Sequence, residues 1–238
     1  MYLQLDPERI GATAERLSRR ISERFPDSGL AAVSAELCVL ARQTRQQALQ
    51  LARPNWPLRV VLWGGLLALA AIALVFPVSI RVEAGFGGVS DLLQGIEAAI
   101  NNVVFVAIAF YFLLTLEGRP KRSAALAALH QLRSVAHIID MHQLTKDPES
   151  LLSSGVDTTS SPRRTLSRFE LVRYLDYCSE LLSIVSKLAA LYAQVLNDSI
   201  VLNSVNDVQN IAQGLSAKIW QKIGIVNDIA LQGERRPG

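Results

Sequence analysis

The chain has 238 residues, is 50% apolar and carries a formal net charge of only +3. A positive mean hydropathy suits a small membrane protein with substantial soluble parts, and the near-neutral balance leaves no electrostatic footprint for nucleic acid. Two cysteines, Cys38 and Cys178, are too few for a disulfide framework or a zinc site, and their apolar neighbours mark them as small core residues.

The N-terminus reads MYLQLDPER, with acids and no apolar core, so it is not a secretory signal, and the first span is expected to act as its own insertion signal. Asp6-Pro7 opens a helix, a capping side chain followed by proline in the first turn. Ile10, Ala14, Leu17, Ile21 and Phe25 then recur at helical spacing. Arg16, Arg19, Arg20 and Arg24 occupy the other faces, partly neutralised by Glu8, Glu15 and Glu23, which favours a solvated face over a lipid-surface helix. Pro26-Asp27-Ser28-Gly29 breaks the helix, and a second runs from Leu30 to Leu51 through Val33, Leu37, Leu40 and Ala41. Pro54 and Pro57 end it, so residues 1–57 are predicted to form a cytoplasmic helical hairpin.

Val60 to Ile80 carries no charge over 21 residues, and Ala98 to Leu116 none over 19. A bilayer core of ~30 Å takes about 20 helical residues at ~1.5 Å each. Residues 58–80 and 96–116 are therefore predicted to be transmembrane helices, joined by a short extracytoplasmic loop over 81–95. Arg42, Arg45, Arg53 and Arg59 precede the pair, and Arg119, Lys121, Arg122 and Arg133 follow it. Between them Arg81 stands alone against Glu83, Asp91 and Glu97. Basic flanks stay inside, so both termini are expected in the cytoplasm, with Trp56, Trp63 and Tyr111 at the inner boundary. Arginine outnumbers lysine 19 to 5, a compositional pointer to a GC-rich bacterial genome and hence to the bacterial inner membrane. Gly85-Phe86-Gly87-Gly88 makes the outer turn, and Ser90 or Asp91 is placed to cap the second span.

Gly64, Ala68, Ala71 and Val75 share one face of the first span, a spacing that lets helices approach closely. Packing of the hairpin against itself accounts for them; a homo-oligomer face is the sharper alternative. Gln94, Glu97 and Asn101, with Asn102 beside them, form a polar stripe entering the membrane from outside. Polar side chains in lipid are costly and face protein or water. Headgroup contact and a bond between helices explain the stripe; a pore lined by several copies is the functional alternative.

After Gly118-Arg119-Pro120, read as a break, a helix is expected from Ser123 to Gln143, and residues 145–165 form a flexible polar linker within a C-terminal bundle over 117–238. The helix from Leu166 to Leu196 repeats Leu171, Leu175, Cys178, Leu182, Val185, Ala189, Tyr192 and Leu196 at alternating four- and three-residue steps, beside a second apolar row of Leu181, Ile184, Leu188, Leu191 and Val195. Two rows make a face wide enough for a bundle of three or more helices. Asn197-Asp198-Ser199 turns into a last antiparallel helix reaching about Ala230, before a fraying tail from Gly233. The bundle is either three-helical or half of a larger one, completed by the N-terminal hairpin or a second copy.

All three histidines, His130, His137 and His142, fall within 13 residues, with Asp140 among them. His130 and His137 share a helix face and Asp140 lies one turn beyond, the weak candidates for a metal; only His137 and Asp140 have ligand-like spacing, and no second ligand cluster follows. An amphipathic helix with polar flanks is the favoured explanation of them, and a pH-sensing histidine beside Asp140 lies between the two. There is no phosphate loop, no G-x-S-x-G and no CxxC, and Cys178 belongs to the heptad row.

The sequence therefore predicts an all-α membrane protein: a two-span transmembrane helical hairpin with a cytoplasmic helical bundle. The expected role is non-enzymatic, with no cofactor: anchoring the bundle in the lipid bilayer for homo-oligomerisation or for assembly with a membrane or cytoplasmic partner. A channel-forming or membrane-disrupting effector using Gln94, Glu97 and Asn101 is the alternative, and a metal- or pH-dependent sensor or enzyme around His137 and Asp140 is a second.

Overall fold

The computed structural model describes residues 4–52, 56, 60–68, 70–71, 89–116, 118–146 and 166–234, whose regular structure is all helical. Its long helices are α1 (Pro7–Arg24), α2 (Gly29–Ala52), α3 (Val89–Leu116), α4 (Gly118–Leu144), α5 (Arg168–Val195) and α6 (Ser199–Glu234). They fall into two compact units, Met1–Ala52 with Ala124–Gly238, and Arg53–Ser123.

The first unit is a bundle whose centre is α5. Asp6 caps α1, its Oδ1 accepting from the Glu8 and Arg9 amides at 2.9 and 3.4 Å, with Pro7 in the first turn. The turn into α2 places Asp27 at φ 58°, a left-handed conformation that aspartate tolerates better than most residues, and Ser28 Oγ then accepts from the Ala31 amide. α5 starts with a reciprocal capping box: Ser167 and Glu170 each satisfy the other's backbone amide. At the far end Asp198 Oδ1 accepts from Ile200 and Val201, starting α6.

Side-chain pairs fix the directions. Ser18 meets Ser34 at 2.9 Å and Glu8 meets Arg45 at 3.4 Å, so α1 and α2 are antiparallel. Arg20 pairs with Glu180 at 2.5 Å and the Leu5 amide donates to Gln194 Oε1 at 2.9 Å, so α1 also runs against α5. Arg133 bonds Asp207 at 3.1 Å and Lys222 donates to the Gln143 carbonyl at 3.0 Å, so α4 and α6 run together. Both apolar rows predicted on α5 are buried, from Leu171 to Tyr192, and they share one core with Ile10, Leu17 and Ile21 of α1, Leu30 and Leu37 of α2, Leu129, Leu132 and Ile139 of α4, and Val201, Val208 and Ile219 of α6. Of the arrangements the sequence left open, this is the larger bundle in which the N-terminal hairpin packs on the C-terminal helices.

Several boundaries differ from expectation. α4 already begins at Gly118 rather than Ser123. Pro120 is tolerated there because first-turn amides have no helical acceptor to lose. α3 begins at Val89, so Ser90 and Asp91 stand inside its first turn instead of capping it. α6 runs to Glu234, past the glycine expected to fray it. Most of the predicted linker 145–165 lies outside the described residues, as do most of the loop 81–95 and, in the first predicted span, residues 58–59, 69 and 72–80. The described part of that span, residues 60–68 with 70–71, is helical.

Candidate functional site

Leu93–Phe112 of α3 is, among the described residues, the one helical stretch long and apolar enough to cross a membrane. At ~1.5 Å per residue its 20 residues span about 30 Å. Ten of them are Val, Leu, Ile or Phe, worth roughly 3–6 kcal/mol of insertion free energy if all lay near the bilayer centre. None of its described side chains is buried; Ile100 is 58% exposed, Phe105 69% and Ile108 60%. A core helix of a soluble protein covers such side chains, and water penalises their exposure.

The helix is not uniform around its axis. Gly95, Asn102, Val106, Ala109 and Phe110 are half-buried and fall on one side. Phe110 meets the Trp63 ring of the preceding helix there, with centroids 6.2 Å apart and planes tilted by 57°. Gln94, Glu97 and Asn101 are exposed, and at ~100° per residue they lie roughly 100–160° round from that packed side. Gln94, Glu97 and Asn101 therefore share one exposed face that points away from the Trp63 contact, whereas Asn102, expected beside them, lies on the packed side. Gly64, Ala68 and Ala71 are exposed too, and a Cβ at Gly64 would meet nothing within 4 Å. Packing of the hairpin on itself, the expected use of these small residues, is not seen at Gly64; Val75 lies outside the described residues. Past the C-terminal end of the apolar stretch the Arg119 guanidinium stacks over Phe112, 5.6 Å from its centroid.

The histidines do not converge. His130 and His137 are exposed on α4, and His130 serves its own helix, its carbonyl accepting from Ser134 Oγ at 3.1 Å. Asp140 is turned to the Gln143 amide, which donates to it at 2.6 Å. His142 is half-buried against Gly29 of α2, where a Cβ would collide with its Cε1. Among the described residues no three His, Cys, Asp or Glu side chains are placed to hold a metal, so the set His130, His137 and Asp140 is not assembled as a site. The reason is geometric: helical rotation aims the two histidines at solvent, while Asp140 is engaged within its own helix.

Sequence reasoning missed a polar cluster where α4, α5 and α6 meet. Lys222 reaches the Gln143 carbonyl, Lys146 lies 5.3 Å over the Tyr174 ring, and Phe25 packs edge-on to Tyr174 at 5.3 Å. Gln143 is 2% exposed, and its Oε1 has no donor among the described residues. Burial pushes the Cys178 thiol up to about 12 despite the two lysines nearby, and it raises the Tyr174 phenol as well. A thiol held protonated in this way is no nucleophile at neutral pH. No short-range pattern announces the cluster, because its members come from segments distant in sequence.

No protein family matches the chain, and no curated protein or solved structure matches it either.

Proposed function

We propose that this chain is an integral membrane protein whose apolar hairpin anchors a helical bundle, and that its role is assembly rather than catalysis. The observation that carries this reading is the combination of a fully buried bundle core with a 20-residue apolar stretch in α3 none of whose described side chains is buried. The two demand different solvents. A chain that buries Leu175, Leu182 and Leu188 completely has apolar surface of a different kind in Ile100, Val103 and Phe105, and a bilayer is the medium in which leaving these exposed has no cost.

The second helix of the anchor is residues 58–80, supported by its uncharged run and by the ring contact of Trp63 with Phe110. Arginines on both flanks orient the bundle and both ends of the chain toward the cytoplasm of a bacterial inner membrane. The bundle offers its surface to partners there.

Single cysteines test the orientation, because Cys38 and Cys178 are both buried and compete little for reagent. A membrane-impermeant maleimide is expected to label Gly87→Cys in intact cells and Gly238→Cys only after permeabilisation. Labelling of both in intact cells, or of neither until lysis, would contradict it.

A further inference from the structure

We infer that α3 associates with α3 of a second copy of this chain through the face formed by Gln94, Glu97, Asn101 and Ile108. This rests on the membrane reading above and goes beyond it by naming the partner and the contact.

Asn101 is eight residues into Leu93–Phe112, about 12 Å from its outer end. Its side chain is exposed on the side opposite the Trp63 contact, so the neighbouring helix of its own unit does not cover it. Hydrocarbon offers an amide neither donor nor acceptor, so a polar group at this depth faces protein or water. The occupant must present complementary groups at the same depth and on a helix inserted in the same sense. A second copy does so by symmetry. An amide is both donor and acceptor, so Asn101 pairs with Asn101 across a two-fold axis. Four to seven residues nearer the surface, the Gln94 amide of one copy supplies donors to the Glu97 carboxylate of the other, which separates the two carboxylates. Below Asn101 the same face continues as Phe105 and Ile108, both more than half exposed, so the contact is polar outside and apolar within.

The test is oxidative cross-linking of the full-length chain in its native membranes. Gln94→Cys and Ile108→Cys are expected to give a band at twice the 26.0 kDa chain mass, and Val106→Cys, on the packed side, is expected to give none. Asn101→Leu in the Ile108→Cys background should lower the cross-linked fraction about three- to tenfold, and Asn101→Gln should restore most of it. No dimer band from either position, equal yield from Val106→Cys, or a band to a different protein overturns the inference. Recovery of the chain in the soluble fraction, scored on the same samples, marks failure of the membrane reading instead.

Discussion

Gly29 and His142 meet where the start of α2 passes the end of α4, close enough that a Cβ on Gly29 would overlap the imidazole. Gly29→Ala must displace that ring, and we expect a loss of about 1–3 kcal/mol. The double variant with His142→Ala should recover most of it in a thermodynamic cycle, which isolates the contact from the intrinsic preference of alanine for helix. Cys178 gives a second residue-scale expectation. Its folded pKa is raised, so the native state holds the proton above the unfolded thiol value, and its contribution to stability is fully present below that value and lost as pH rises toward about 12. Burial shifts Cys38, Tyr174 and Tyr192 the same way. Thermal melts should therefore fall steadily above the ordinary thiol range, and Cys178→Ala should flatten the first part of that fall. A thiol reagent at mildly alkaline pH should leave both cysteines unmodified until the chain unfolds.

At the scale of elements, α5 is held by its start and by its breadth. Hydrogen bonds from Ser167 hold the Glu170 carboxyl below the usual range. A lowered folded pKa stabilises above the unfolded value and ceases to do so as pH falls through the folded one, so Glu170→Gln should keep the capping box while weakening the acid-side loss of stability. Leu182 is fully buried in the wide face, and Leu182→Ala should cost about 2–5 kcal/mol in denaturant titration. These elements were largely legible in sequence. The Asp6-Pro7 start, the paired rows of α5 and the Asp198 turn are local signals, carried by spacing or by one capping side chain. The start of α4 was not, because Gly118-Arg119-Pro120 has the composition of a break, and only the missing amide acceptors of a first turn make it admissible as helix. The candidate sites divide in the same way. Gln94, Glu97 and Asn101 share a face because helical period alone decides that. Whether His137 and Asp140 meet a third ligand, or Lys222 meets Gln143, depends on packing between distant segments, which spacing does not encode.

On the scale of the whole molecule, two kinds of apolar surface coexist. The bundle consumes its own: α1, α2, α4, α5 and α6 share one buried core. α3 consumes almost none, and its outward side chains include an amide that water or protein must satisfy. The proposed anchor, with its self-complementary helix face, reconciles both. The most direct measurement is the fate of the full-length chain when membranes of cells producing it are washed with alkaline carbonate. That treatment strips peripheral proteins and leaves spanning helices in the lipid. The chain is expected in the pellet, and to stay there when Glu97→Gln removes the one charge within Leu93–Phe112. Release into the wash would show that α3 does not span the bilayer, and would leave its exposed apolar face to be covered by another protein.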